Sequence, residues 1–300
     1  MTRPQPTTAP TAALERASGA LAALRDRYRA RYGEVVFEVR PELSGPGLRL
    51  VGQVLLGAQR RAACAEVERA TGLSVADGLE ALVDREAEPD WAVPAGDLVD
   101  VRASPGGELA TQVSAGDPPL RRLARRGDWW AVEVADGTVG WAAGAALADV
   151  APPVRPASVP DWRRGFRGEA RAAPPDAWRR VVQAWEGTPY LWGGTTAAGI
   201  DCSGLTQRVY RQVLGLGLPR HSTDQAGAGR RVPADAMRAG DLLLLTGCET
   251  GVSHVAIVLE DGGHAAGHAS HRRGVVEEPL ADLLGRYRLR SVRRFGPAPR

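Results

Sequence analysis

The five histidines of the chain, His221, His254, His264, His268 and His271, all fall after residue 220, and the first 220 residues contain none. Just upstream of them, Asp201-Cys202-Ser203-Gly204 comes directly before Leu205, Val209 and Val213. That i, i+4, i+8 stripe predicts a helix with Cys202 at its N-terminus. The unsatisfied N–H groups of a helix start favour thiolate over thiol, and the thiolate is what attacks a carbonyl carbon. Gly193, Gly194 and Gly199 permit tight turns before it, and the N–H of Cys202 is a natural oxyanion donor. A cysteine at a helix start is by itself equally a buried structural residue; the histidines are what turn it toward chemistry. His254 can take the thiol proton, and a second histidine on the neighbouring strand can fix its tautomer, giving a Cys-His-His variant of triad logic.

The elements that must hold these groups are legible around them. GDLLLL at 240–245 and a second apolar run opened by His254 predict two antiparallel strands, against which the cysteine helix can pack. The turn Asp261-Gly262-Gly263 then starts a third strand, on which His264, Ala266 and His268 share one face by period 2. The fold class expected is α+β. Upstream, residues 1–11 are Pro/Thr-rich and expected to be disordered, and Ala12 to Arg31 shows helical spacing of Leu14, Leu21, Leu24 and Tyr28. From Glu34 two apolar runs, a helix over Ala58 to Ala70 and a strand over Leu79 to Asp84 predict a ββαβ unit, with the N-terminal module placed at 12–90. Short strands separated by turn signals fill 91–150, where GDWWAVEV is expected to form a hairpin closed by Asp136 and Gly137. Six prolines between 152 and 175 mark a linker at 151–176, which leaves 177–300 for the catalytic unit.

Composition narrows the partners. The 300 residues carry a net charge of +3, and all 38 basic residues are Arg, since the chain has neither Lys nor Asn. No dense basic block or aromatic-interleaved stripe is present, which argues against nucleic acid as a partner. No apolar run is long enough for a membrane span, and the short N-terminal apolar stretch is followed at once by Arg25, Asp26 and Arg27, unlike a signal peptide. Three cysteines do not suggest a disulfide framework. A cytoplasmic location is expected, with export the alternative if translation starts upstream. His264 and His268 have an H-x3-H spacing, but Gly267 opposes a helix there and no companion Cys pair exists, so neither a metal nor another cofactor is expected. Cys64 reads as a buried helical thiol, Cys248 as a neutral loop thiol and His271 as a solvated loop residue. Trp129, Trp130 and Trp141 read as barrel core, and Trp192 as a wall of the active site.

Three resemblances follow from these segments. Residues 34–84 resemble the small BON-type module in pattern. The order VRASP, a Trp-bearing strand and DG..GW in 98–150 resembles a bacterial SH3-like barrel of the cell-wall type. The motifs PYLWGG, DCSGL, LPRHS, GDLLLL and HVAIVLEDGG in 177–296 resemble the NlpC/p60 family of papain-like cysteine peptidases. This last resemblance implies a hydrolase of murein peptides with Cys202 as nucleophile, His254 as base, His268 (or, on the same face, His264) as third member and Tyr190 at the oxyanion site. With the SH3-like domain and GELATQ at 107–112, the chain resembles γ-D-glutamyl-L-diamino acid endopeptidases of murein recycling. By that resemblance Glu108 would pair with the substrate ammonium, while Asp201, Ser203, Trp192, His221 and Ser222 would line the site. Two positions depart from the pattern: a carboxylate has become His221 and a phenol has become Thr138, which bears on the requirement for a free N-terminal L-Ala. Another hydrolase or acyltransferase on the same core, and a non-enzymatic wall-binding adaptor, are the competing readings. The sequence leaves the oligomeric state open.

Overall fold

The computed structural model describes residues 9–32, 36–83, 90–151, 173–174, 176–247 and 251–295. Residues 1–8, nearly all of the expected linker at 151–176, and Cys248 lie outside them.

The chain begins with α1 (Ala9–Tyr32), β1 (Phe37–Ser44), β2 (Gly47–Leu56), α2 (Gly57–Thr71) and β3 (Val75–Val83). Helix α1 starts at Ala9, so residues 9–11 of the segment expected to be disordered are helical. β1 and β2 form an antiparallel hairpin, and α2 carries the chain back so that β3 pairs parallel with β2. The element order here is strand–strand–helix–strand, and β3 starts four residues before the strand expected from Leu79. Ser74, Asp77 and Gly78 read as turn residues in isolation; pairing with β2 from Leu48↔Val75 to Leu56↔Val83 overrides that signal. Leu21 and Leu24 of α1 pack with Ala63 and Val67 of α2 over Leu48, Leu50 and Val54 of the sheet. Cys64 is half-buried on α2, more open than its helical setting predicts.

A second sheet holds β4 (Asp90–Pro94), β5 (Leu98–Arg102), β6 (Leu109–Ser114), β7 (Leu120–Arg126), β8 (Trp129–Glu133), β9 (Val139–Ala143) and β10 (Leu147–Val150), in the order β10-β4-β7-β8-β9-β5-β6. Its pairings are antiparallel. The hairpin of β8 and β9 turns at Asp136-Gly137, with Gly137 at φ 86° and Asp136 Oδ1 accepting the Thr138 N–H at 2.9 Å. Of the three tryptophans expected in its core only Trp141 is fully buried. Trp129 and Trp130 are half-buried, and the Arg122 guanidinium lies 5.1 Å from the centre of the Trp130 ring. Val36 and Leu55 of the first unit join Ala131, Val139 and Trp141 in one cluster, so the two sheets share a core.

The C-terminal unit contains α3 (Ala177–Ala184), β11 (Thr195–Thr196), β12 (Gly199–Ile200), α4 (Cys202–Leu214), α5 (Ser222–Gly227), β13 (Arg230–Val232), β14 (Leu242–Thr246), β15 (His254–Val258), β16 (Ala265–Ser270), β17 (Gly274–Pro279), α6 (Leu280–Arg286) and β18 (Arg288–Arg294). Its six-stranded sheet has the order β13-β18-β14-β15-β16-β17. The run Leu242–Leu245 has no polar alternation because the strand is covered on both faces. Leu242 and Leu244 meet Leu205 and Val209 of α4 and Val182 of α3. Leu243 and Leu245 meet Leu280 and Leu283 of α6.

The second sheet is fastened to α4. Arg208 of α4 reaches both carboxylate oxygens of Asp117 at 2.6 and 2.9 Å, and the Thr195 hydroxyl donates to the Gln112 carbonyl at 3.1 Å. Burial alone would raise the Asp117 carboxyl; hydrogen bonds from Arg208 and the Ser114 N–H hold it below its ordinary value.

Candidate active site

The first turn of α4 is fixed by a buried polar cluster. Asp201 is its N-cap, with Oδ1 accepting the Gly204 N–H at 2.7 Å. Oδ2 accepts the Gly193 N–H at 2.9 Å, which ties the preceding glycine loop to the helix start. Gly204 has to be glycine, because a Cβ there would lie 2.4 Å from the Gly194 carbonyl oxygen. Gly193, at φ 77°, presses on the Leu109 carbonyl of β6, where a Cβ would stand 2.6 Å away. Arg220 closes the cluster with bonds of 2.9 and 2.6 Å to the two Asp201 oxygens, 3.0 Å to the Ser203 hydroxyl and 3.0 Å to the Thr111 hydroxyl of β6. Arg220 and Asp201 are buried. Burial works to raise the Asp201 carboxyl, but the Arg220 guanidinium and the two backbone N–H groups outweigh it and hold it ionised.

Cys202 follows, buried at the first position of α4, with its sulfur accepting from the backbone N–H groups of Val255 and Ser203. The sulfur is thus held at the start of β15, beside His254. Burial, and next the Asp201 charge, push the thiol up to about 12. This corrects the expectation of a resting thiolate: the helix start does offer N–H groups, but its own N-cap is a carboxylate and the sulfur is buried. His254 is driven the opposite way. Burial, then the neighbouring His268 and Arg286, bring its imidazole down to about 3. The resting pair is therefore neutral thiol and neutral imidazole.

Nε2 of His254 lies 2.9 Å from Nδ1 of His268 on β16, and the rings meet edge to face. Nε2 of His268 lies 2.8 Å from Oε1 of Glu278 on β17. Tyr287 stacks on His254, centroids 4.8 Å apart and planes within 16°. His264 is exposed and precedes β16, so the structure brings His268 and not His264 to His254. Tyr190 bridges to Ile200. Burial first, with the Asp201 charge adding to it, raises its phenol, which stays a protonated donor. His271 is exposed as expected, yet its ring packs 4.8 Å from that of Tyr190.

The remaining residues divide. Trp192 is 67% exposed, beside the exposed Leu191. Glu108 is exposed at the residue before β6, next to the Leu109 carbonyl that meets Gly193. His221 and Ser222 are half-buried at the start of α5. Asp201 and Ser203 were expected to line the substrate site, but their oxygens are engaged by Arg220, Gly193 and Gly204. Thr138 is 3% exposed, so it offers no surface hydroxyl in place of a phenol. Reasoning from sequence missed Arg220 and Glu278.

A buried thiol held by the N–H of Val255, the residue after His254, together with an imidazole oriented by a second imidazole, offers the groups needed for nucleophilic attack on an acyl carbon. Residues 187–294 match the NlpC/P60 family. The probable endopeptidase NlpC of Escherichia coli (strain K12) is 35% identical over 115 residues, 38% of this chain and 73% of that protein. The chain belongs to the NlpC/P60 family. The murein DD-endopeptidase MepS/murein LD-carboxypeptidase of the same strain is 38% identical over 110 residues, 37% of this chain and 57% of that one. The chain thus spans little more than half of that relative's length. The γ-D-glutamyl-L-lysine dipeptidyl-peptidase of Bacillus subtilis (strain 168) is 51% identical over 57 residues, 19% of each chain. In this NlpC/P60 chain no helix among the described residues is long and apolar enough to cross a membrane.

The buried neutral histidine makes this domain acid-labile. The His254 imidazole titrates at about 6.5 when unfolded and about 3 when folded, so below 6.5 the unfolded chain binds a proton that the folded one refuses. The stability that His254 contributes is complete above about pH 6.5 and is lost as pH falls toward about 3. Urea unfolding at stepped pH is expected to show that slope, weakened in His254→Gln, which carries no titrating ring.

Proposed function

We propose that this protein is a cysteine endopeptidase that hydrolyses the bond between γ-D-glutamate and the diamino acid, meso-diaminopimelate or L-Lys, of murein peptides. The observation that carries the reading is the buried His254–His268 pair, with the Cys202 sulfur held to the N–H of Val255 on the strand that His254 opens, in the domain that matches the NlpC/P60 family, joined to relatives named as murein and γ-D-glutamyl peptidases. As Sγ attacks the γ-carbonyl, the thiol proton passes to Nδ1 of His254, and the carbonyl π pair becomes an oxyanion. The Cys202 N–H and the Tyr190 hydroxyl receive that charge. His254 then gives its proton to the leaving amine, the C–N bond breaks, and a thioester remains. Water, deprotonated by His254, resolves it to acid and free thiol. Because the resting thiol is neutral, proton transfer and attack belong to one step.

We assign β4–β10 to an SH3-like domain that frames the cleft through Glu108 and the Leu109–Gly193 contact, and β1–β3 with α2 to a BON-type packing module. Glu108, Trp192, His221 and Ser222 are the proposed substrate contacts. Asp201, Ser203 and Arg220 shape the helix start and do not touch substrate. With Thr138 buried and His221 in place of a carboxylate, a free N-terminal L-Ala would be held mainly by Glu108, so the preference for it is weak. Digesting defined murein peptides with free and blocked N-termini, with products weighed by mass spectrometry, tests this. Release of fragments ending in γ-D-Glu from both forms is the expected result. Cleavage at a D-Ala bond would point to the activity named for the MepS relative, and no cleavage would favour a wall-binding role.

A further inference from the structure

The site does not end at His268. Glu278 sits on β17, 6% exposed, with Oε1 2.8 Å from His268 Nε2. Arg273, in the turn before β17, donates to its Oε2 at 3.1 Å, and Arg286 of α6 pairs with Oε1. Among the described residues, these are the charged or titratable groups meeting Glu278, from β16, the turn before β17 and α6. Burial would raise its carboxyl, but His268 and Arg286 outweigh that and hold it below the usual range. The adjacent Glu277 turns away to Arg179 at 2.9 Å, so the pairing belongs to Glu278 alone.

An ionised carboxylate can only accept, and that restriction propagates along the line. His268 must carry its proton on Nε2, to donate to Glu278, and its Nδ1 is then a bare acceptor. The facing Nε2 of His254, at 2.9 Å, must in turn carry the donated hydrogen. A neutral ring has one N–H, so Nδ1 of His254 is left with a lone pair. We infer that Glu278 is a positioning residue that sets the tautomers of both histidines, so that His254 presents a bare Nδ1 to the Cys202 thiol. The relay thus has four members: the thiol, two imidazoles and a carboxylate anchored by two arginines.

The inference rests on the reading of Cys202 and His254 as nucleophile and base, and it adds a demand on charge. When the thiol proton arrives at Nδ1, His254 becomes a cation, with Asp201, His268, Arg286 and Tyr287 as its polar surroundings. The negative charge that favours this cation from the strand side is that of Glu278, passed through the neutral His268. No proton needs to leave His268, since its two hydrogen bonds keep their directions throughout.

Two measurements test it. In the wild-type protein, 15N–1H correlation spectra of labelled histidine at neutral pH should show His254 and His268 both protonated at Nε2 and bare at Nδ1. In Glu278→Gln, kcat on the cleaved peptide should fall about 100-fold with KM within about twofold. The acid limb of kcat/KM should move to lower pH, because the imidazolium has lost its counter-charge, and Glu278→Asp should recover part of the rate. His254 protonated at Nδ1 in the wild type would overturn the inference. So would a Glu278→Gln protein with unchanged kcat and acid limb, even if it melts earlier, since Glu278 would then be only a salt-bridge partner. The spectra need no substrate, so failure of the proposed peptidase reading and failure of the tautomer assignment remain distinguishable.

Discussion

His254→Ala is expected to lower kcat/KM about 10^4-fold on the peptide that the wild type cleaves, with circular dichroism unchanged. The size of the effect follows from the charge state of the resting site. A thiol held at about 12 contributes almost no thiolate at neutral pH, so the reaction depends on a base receiving the proton during attack. Without the imidazole, water, a far weaker base, has to take that proton. The same substitution is also felt in folding, because it empties the volume of a buried ring. It leaves Nδ1 of His268 without its neighbour and Tyr287 without its stacking partner. Steady-state kinetics beside urea unfolding separates the two effects. A residual rate within tenfold of wild type would mean that another group accepts the proton.

Arg220→Met is expected to cost about 3–5 kcal/mol of stability, the penalty for leaving a buried carboxylate unpaired. Asp201 would keep two backbone N–H bonds but lose the fork of 2.9 and 2.6 Å. Its carboxyl would rise as burial went unopposed. The bond from Arg220 to Thr111 would also go, loosening the attachment of the second sheet beside the glycine loop that carries Tyr190 and Trp192. Urea unfolding measures the cost. Adding Asp201→Asn to Arg220→Met should recover part of it, because a neutral amide can stay buried and still accept from Gly204. Strictly additive losses in the double variant would show that the two side chains do not act as a pair.

The helix of Cys202 is legible because two signals coincide: the Leu205, Val209, Val213 stripe sets its period, and Asp201 and Gly204 mark its first turn. The strand of His254 was legible from apolar runs separated by a loop. His268 is the partner histidine expected from the sequence, with His264 as the alternative because both fit period 2; the structure starts β16 after His264, which exposes that ring. Glu278 was illegible for a different reason. It stands beside Glu277 in an undistinguished Glu-Glu pair, and only the register of three antiparallel strands buries one and leaves the other to Arg179. Arg220 belongs to the LPRHS motif, but nothing local says that its guanidinium spans from Asp201 to Thr111 on another sheet. The charge of Cys202 depends on burial, a quantity that helix position alone does not supply. Likewise the early start of β3 and the half-exposure of Trp129 and Trp130 depend on neighbours distant in sequence.

The measurement that bears most directly on the account is hydrolysis of L-Ala-γ-D-Glu-diaminopimelate by Cys202→Ala beside the wild type. Turnover by the wild type, and none above background in a variant that melts like it, is the predicted result. Cleavage of that peptide by the alanine variant at a rate near wild type would contradict the account, because no thioester could then form at residue 202.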